Sequence, residues 1–127
     1  MSTKREGWLV YAAVVMFIVA GVHAVWAINL WTGAAWLADI SNGILSGQGW
    51  LWGVFDAVIA ALFVFAGGSV LQGKRFGRWV AVGAASVSII RWFYWMVFAP
   101  FLSLTVIAMM FLVLYGVLVT WGADDSA

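Results

Sequence analysis

Four apolar stretches, each roughly 20 residues long, constrain this chain more than any other feature of its sequence. They comprise residues 9–30, 51–71, 79–98 and 101–121. At a rise of about 1.5 Å per residue, a helix of this length crosses a hydrocarbon layer of about 30 Å. None of the stretches shows a polar stripe at helical spacing, so each suits lipid better than a half-buried position.

The overall composition also favours a bilayer. Of the 127 residues, 66% are hydrophobic and 9% are charged, whereas a soluble domain is typically about half apolar and about a quarter charged. In water such a chain would expose large apolar patches. An open β-sheet would leave backbone groups unpaired in hydrocarbon, so helices are the natural secondary structure. We therefore predict a single all-α domain, folded as an integral membrane four-helix bundle.

Lysine and arginine residues predict the orientation of this bundle. Lys4 and Arg5 precede the first stretch, and Lys74, Arg75 and Arg78 lie between the second and the third. In a four-span protein these two segments share one face, and the segments on the other face contain no lysine or arginine. The positive-inside rule places both termini and the basic loop in the cytoplasm of a multi-pass plasma-membrane protein.

Aromatic residues gather toward the opposite, outer boundary, where tryptophan and tyrosine commonly lie at headgroup depth. The predicted outer aromatic rim consists of Trp26, Trp31, Trp50, Trp52, Tyr94 and Trp95. We expect the rim to anchor the bundle at the interface, and it could also line a surface for a ligand or a partner. The outer segment 31–50 has apolar residues at helical spacing, which predicts a short interfacial helix.

Three ionisable residues, His23, Asp56 and Arg91, interrupt the apolar stretches. Counted from the ends of their predicted spans, all three lie roughly 8–10 Å below the outer boundary. Such residues usually face the interior of a bundle and pair with one another. Three interpretations are open: a cluster that binds a ligand, a proton or a partner; a structural ion pair between Asp56 and Arg91; or an Arg91 side chain that reaches the outer headgroups.

Small residues in the second stretch predict close helix packing. Gly53, Ala57 and Ala61 follow one another at four-residue spacing, a pattern that lets another helix approach. In the third stretch, Ser88 and Trp95 lie one turn before and one turn after Arg91. We expect the small-residue ladder to seat a neighbouring helix.

Several classes of site are disfavoured by the composition. The chain has no cysteine and one histidine, so we expect neither a protein-only metal site nor a cofactor. The net charge of +1 and the lack of a basic stripe argue against nucleic acid as a partner. No nucleophile motif such as Gly-x-Ser-x-Gly is present, and we do not expect an enzyme.

A series of short motifs extends from position 49 into the last stretch. They are Gly49-Trp50, Ala66-Gly67-Gly68, Leu71-Gln72-Gly73, Phe76-Gly77-Arg78-Trp79-Val80, Ala84-Ala85-Ser86-Val87-Ser88, Pro100-Phe101-Leu102-Ser103-Leu104 and Leu114-Tyr115-Gly116. With these motifs, about the last 75 residues resemble an uncharacterised family of small actinobacterial membrane proteins, domain of unknown function 7144. The first apolar stretch resembles the family more loosely. The resemblance implies a four-helix membrane protein and no established activity. It also implies mostly apolar or small residues where this chain has Asp56 and Arg91.

Two functional hypotheses follow. Small size and short loops favour a structural or accessory subunit of a membrane complex, surrounded by lipid and by a protein partner or further copies. The polar layer and the aromatic rim favour a homo-oligomeric unit that binds or transports a lipid, a quinone or another small molecule.

Overall fold

The computed structural model describes residues 3–32, 49–97 and 99–125, and within these ranges the chain forms helices and no strand. Helix α1 spans Thr3–Trp31, α2 Gly49–Leu71, α3 Arg75–Trp95 and α4 Pro100–Asp125. The prediction of an all-α four-helix fold is confirmed. The interfacial helix predicted in segment 31–50 falls mostly on residues outside the described ranges.

The four helices form a ring in which each helix packs against two neighbours. α1 packs against α2 and α4, and α3 packs against the same two helices. Connections of a few residues join α2 to α3 and α3 to α4, which is typical of antiparallel neighbours in an up-down bundle. α1 and α3 therefore face each other diagonally across the interior.

The connection between α2 and α3 is a Schellman turn. Gly73 has a positive φ of 75°, a conformation that glycine adopts without steric cost. Its N–H donates to the Val70 carbonyl at 3.0 Å, and the N–H of Lys74 donates to the Ser69 carbonyl at 3.0 Å. These two bonds satisfy carbonyl groups in the last turn of α2, so the chain reverses direction within three residues, 72–74.

Helix α3 begins and ends earlier than the third predicted span, residues 79–98. It starts at Arg75, directly after the turn, and ends at Trp95. The prediction began at the first apolar residue after the basic segment, whereas backbone hydrogen bonds determine where a helix starts. Arg75 and Arg78 therefore belong to the first turn of α3 and not to a loop.

The exterior of the bundle is apolar, unlike that of a soluble protein, and ionisable residues lie within its mostly apolar core. Large apolar side chains such as Ile28, Phe65 and Ile90 are at least half exposed. Inside the bundle, His23 and Asp56 are 0% exposed. In water such a surface would drive aggregation, whereas a bilayer favours apolar groups outside and ionisable groups in the interior.

Three helical segments are long and apolar enough to cross a membrane: Gly7–Trp31, Trp50–Leu71 and Pro100–Thr120. They correspond to α1, α2 and α4. Helix α3, which carries three arginines, is not among them.

The small-residue ladder predicted on α2 is only partly a packing face. Gly53 is buried against the ring of Trp31, so closely that a Cβ atom at this position would overlap the indole. Ala57 is half-buried and Ala61 is exposed, so Ala61 lies on the outside of this bundle, where a seat for another helix stays a prediction. Because a helical turn has 3.6 residues, side chains spaced by four gradually move around the helix and away from one face. The interior face of α2 continues from Gly53 to Asp56 instead.

Candidate functional site: a buried polar cluster

His23, Asp56 and Arg91 come from three different helices and meet inside the bundle. Asp56 Oδ1 lies 2.9 Å from His23 Nδ1. Asp56 Oδ2 accepts a hydrogen bond from Arg91 NH2, also at 2.9 Å. Arg91 is 4% exposed, so its side chain pairs inside the bundle and does not reach the headgroups. The structure thus brings together all three residues of the predicted layer.

Two further residues of α3, Ser88 and Trp92, contact His23. Ser88 Oγ lies 3.0 Å from His23 Nε2. Trp92 Nε1 donates to the same nitrogen at 3.3 Å. We refer to His23, Asp56, Ser88, Arg91 and Trp92 together as the polar cluster.

Sequence reasoning recognised Ser88 only as a small neighbour of Arg91, and it missed Trp92. A signal was nevertheless present in the spacing. Ser88 lies three positions before Arg91 and four before Trp92, so the side chains emerge on adjacent parts of one helical face. Once Arg91 is placed in the interior, Ser88 and Trp92 must lie near it.

The neighbours of His23 determine its tautomer. An indole N–H can only donate, so Trp92 requires His23 Nε2 to accept. The proton of the neutral imidazole then lies on Nδ1, which donates it to the Asp56 carboxylate. The Ser88 hydroxyl also donates to Nε2, so Ser88 and Trp92 share the one lone pair of that nitrogen. With a neutral His23, the charges of Asp56 and Arg91 cancel, which lowers the cost of burying the polar cluster.

The Arg91 guanidinium combines aromatic contacts with unpaired donors. Its Cζ atom lies 4.6 Å from the ring centroid of Trp52 and 4.9 Å from that of Trp95, within the range of cation–π attraction. Asp56 accepts one hydrogen bond from NH2. Arg91 Nε and NH1 have no hydrogen-bond partner among the described residues. The described part of the chain therefore leaves the polar cluster incomplete at Arg91.

Four residues of the predicted aromatic rim lie at or near the surface. Trp31, Trp50 and Tyr94 are exposed and Trp52 is half-buried. Trp31 Nε1 donates to the carbonyl of Trp50 at 3.2 Å, which ties the end of α1 to the start of α2. Trp52 stacks on Tyr94 with a centroid distance of 5.4 Å and an interplanar angle of 22°, which joins α2 to α3.

The other two members of the predicted rim, Trp26 and Trp95, belong to the core. Both are buried, and they pack edge to face with centroids 5.0 Å apart. Trp26 also packs against Trp92 at 5.4 Å. The prediction assigned these residues by depth alone. Trp26 follows His23 by three positions and Trp95 follows Arg91 by four, so both share the inward faces of those residues.

The predicted basic loop likewise contains both exposed and buried residues. Lys74 and Arg75 are exposed, where they can contact headgroups. Arg78 is 3% exposed. Its neighbour Gly77 packs so tightly against Ser69 of α2 that a Cβ atom would overlap it. Because Gly77 contacts α2 so closely, the adjacent residue Arg78 in the first turn of α3 is also buried.

The chain Asp56–His23–Ser88 has the connectivity of a catalytic triad, in which a carboxylate orients an imidazole that contacts a hydroxyl. Three features argue against catalysis. Ser88 is 0% exposed. Trp92 contacts the nitrogen that would have to take the Ser88 proton. The backbone N–H groups beside Ser88 belong to α3. They already donate to carbonyl groups of the helix, so they are not available to form an oxyanion hole.

No metal site emerges from the residues that the structure describes, since no three His, Cys, Asp or Glu side chains come together there. An open groove of about 380 Å³ is lined by Gly7, Trp8, Tyr11 and Leu112. Its lining is mainly apolar and carries no charged side chain. The polar cluster is therefore the feature with the most recognisable chemistry in the described part of the chain.

Comparison with known proteins places the chain in a family. No curated protein and no solved structure matches it. A family model described as a domain of unknown function, DUF7144, matches residues 8–122. This range includes the whole polar cluster and nearly all of the four helices. The chain therefore belongs to the DUF7144 family, as the resemblance of its motifs predicted.

Proposed function

We propose that this protein is a multi-pass protein of the plasma membrane that serves as a small structural or accessory subunit of a membrane complex. The observation that carries the proposal is the apolar exterior of the bundle, combined with ionisable residues that pair in its interior. His23, Asp56 and Arg91 contact one another in the interior through Asp56, while large apolar side chains cover the outside. Such an exterior suits contact with lipid and with neighbouring helices.

On this proposal α3 crosses the membrane together with the three more apolar helices. Arg78 and Arg91, which make α3 less hydrophobic, are both buried. Its outward side chains include Trp79, Ile90 and Phe93, all more than half exposed. With four crossings both termini lie on one side, and the basic residues assign that side to the cytoplasm.

The outward face of α3 offers a surface for a partner helix. Gly83 and Ser86 are exposed between the bulky residues Trp79 and Ile90. A Cβ atom at Gly83 would meet no described residue within 4 Å. Small residues bounded by large ones let helices approach closely in a membrane. Gly21 is likewise exposed, on α1, and a Cβ atom there would also meet no residue of the described ranges within 4 Å. It provides a matched comparison.

Native mass spectrometry of the complex tests the subunit role. The tagged protein, extracted in a nanodisc-forming polymer at its native expression level, should carry another membrane protein at fixed stoichiometry. Gly83→Leu should release this partner because the larger side chain fills the space between Trp79 and Ile90. Gly21→Leu should retain it, and the isolated chain should unfold like the parent in both variants. A protein recovered only alone or as a homo-oligomer would contradict the subunit role.

We further propose that the Asp56–His23–Ser88 chain is structural and that the protein is not an enzyme. The buried position of Ser88 and its shared acceptor on His23 support this interpretation. An alkyl fluorophosphonate, which labels activated serines, should leave Ser88 unmodified in the membrane-embedded protein. Labelling of Ser88 that His23→Ala abolishes would show instead that the triad is active.

A further inference from the structure

We propose that Arg91 binds the carbonyl oxygen of a lipid-soluble molecule through its Nε and NH1 donors. The binding site consists of the Arg91 guanidinium with the adjacent rings of Trp52 and Trp95. It goes beyond the subunit role and does not depend on it. The inference rests on unpaired donors, on charge balance and on the aromatic surroundings of the guanidinium.

The unpaired donors are the first observation. A guanidinium carries five N–H groups, three of them on Nε and NH1. The side chain of Arg91 is 2% exposed, and neither Nε nor NH1 has a hydrogen-bond partner among the described residues. The faces of the two indole rings attract the positive charge but do not accept these in-plane N–H groups in ordinary hydrogen bonds. The residues that the structure describes therefore supply no oxygen acceptor for these donors.

Charge balance indicates that the acceptor of these donors is neutral. Asp56 already pairs with Arg91 at 2.9 Å, and His23 is neutral in the tautomer that Trp92 requires. A second anion would give the polar cluster a net negative charge inside the bundle, where burying an unpaired charge is costly. A carbonyl oxygen accepts hydrogen bonds without adding charge.

The surroundings of Arg91 favour a ligand from the bilayer. The guanidinium contacts Trp52 of α2, and Trp52 stacks on the exposed ring of Tyr94. Tyr94 and Trp52 thus form a continuous series of aromatic contacts between α2 and α3, from the surface to Arg91. Aromatic walls of this kind suit an apolar molecule with a polar oxygen better than a hydrated solute.

Two sources in a membrane supply such an oxygen. One is the ring carbonyl of a quinone, and the other is the ester carbonyl of an acyl lipid. Both are neutral acceptors carried by molecules that partition into lipid. The two sources can be separated because ether lipids have the same headgroups as ester lipids but no ester carbonyl.

The quinone arm uses the protein in nanodiscs of diether phosphatidylcholine, titrated with a short-chain quinone. Tryptophan fluorescence is the readout, since Trp52 and Trp95 lie beside the proposed site. Wild type should show saturable quenching. Arg91→Lys keeps a cation for Asp56 but loses the planar set of donors, so its affinity should fall about tenfold or more. Arg75→Lys, at an exposed position, is the matched control and should bind like wild type.

The lipid arm omits the quinone and compares thermal unfolding in diester and diether nanodiscs. If an ester carbonyl occupies the site, the wild type should unfold at a higher temperature in the diester lipid. Arg91→Lys should lose that difference, whereas Arg75→Lys should keep it. Agreement in either arm supports the site and identifies its ligand.

A direct measurement covers the case in which Arg91→Lys does not fold. In wild type, the ¹⁵N–¹H resonance of Arg91 Nε should shift on addition of quinone or on exchange of diether for diester lipid. The proposal is overturned if wild type responds in neither arm and the resonance does not move. It is also overturned if Arg91→Lys is folded and responds like wild type, because the response then does not depend on the Nε and NH1 donors of Arg91.

Discussion

The sharpest energetic prediction concerns Asp56, the centre of the polar cluster. Its two carboxylate oxygens accept separate hydrogen bonds, from His23 Nδ1 and from Arg91 NH2, both at 2.9 Å. Asp56→Asn keeps the shape of the side chain but removes the charge and replaces one acceptor by a donor. Arg91 then loses its counter-ion, and one of the two donors faces an NH2 group.

The magnitude follows from these two bonds. Hydrogen bonds to charged groups contribute about 1.5–3 kcal/mol each, and breaking a buried ion pair by removing one partner costs about 3–5 kcal/mol. Chains unfolded within a bilayer or micelle find other partners, which reduces the measured effect. We therefore expect Asp56→Asn, and likewise Arg91→Leu, to lower the free energy of unfolding by about 3 kcal/mol. The double variant Asp56→Leu/Arg91→Leu should lose less than either single variant.

Reversible unfolding in mixed detergent and SDS micelles, followed by circular dichroism, measures these differences. Ser86→Ala is the control on α3, because Ser86 is exposed and its hydroxyl donates to the carbonyl of Val82 in its own helix. It should change stability by less than about 0.5 kcal/mol. Single variants of Asp56 and Arg91 that both unfold like the parent would refute the reasoning. A double variant less stable than either single would show that the cluster does more than balance charge.

Three further predictions test the orientation, the helix packing and the histidine. Cysteines placed at Ser46 and Gln72 should react with a membrane-impermeant maleimide from opposite sides of intact cells, Ser46 from outside; labelling of Gln72 from outside would reverse the topology. Gly77→Leu should lower the free energy of unfolding by about 1–3 kcal/mol through overpacking against α2, as micelle unfolding will show, and a neutral result would contradict the close approach. Nitrogen NMR should find the proton of His23 on Nδ1, and Ser88→Ala should leave it there, since Trp92 still donates to Nε2; a proton on Nε2 would rule out the assigned hydrogen-bond pattern.

The helices could be predicted because lipid demands about 20 apolar residues for each crossing, and that signal is local in the chain. The pairing of Asp56 with Arg91 was predicted from the cost of leaving either residue alone in hydrocarbon, and the structure brings the two together. The faces of the aromatic residues were not predictable in the same way. Depth assigned Trp26 and Trp95 to the interface, but an apolar helix gives no polar stripe that distinguishes inside from outside.

The hydrogen bonds of the polar cluster join α1, α2 and α3, and this has a consequence for how the chain enters the membrane. An arginine inside a span costs up to about 2.5–3.5 kcal/mol on insertion scales, with the largest cost at the centre. Helix α3 is not among the helices that are apolar enough to cross a membrane by themselves. During synthesis His23 and Asp56 are made before Arg91. We expect α3 to leave the translocation channel when α1 and α2 are already in the bilayer. Asp56 on α2 can then accept the hydrogen bond of Arg91, which makes the insertion of α3 more favourable. The order of residues along the chain then matters for biogenesis as well as for the final fold.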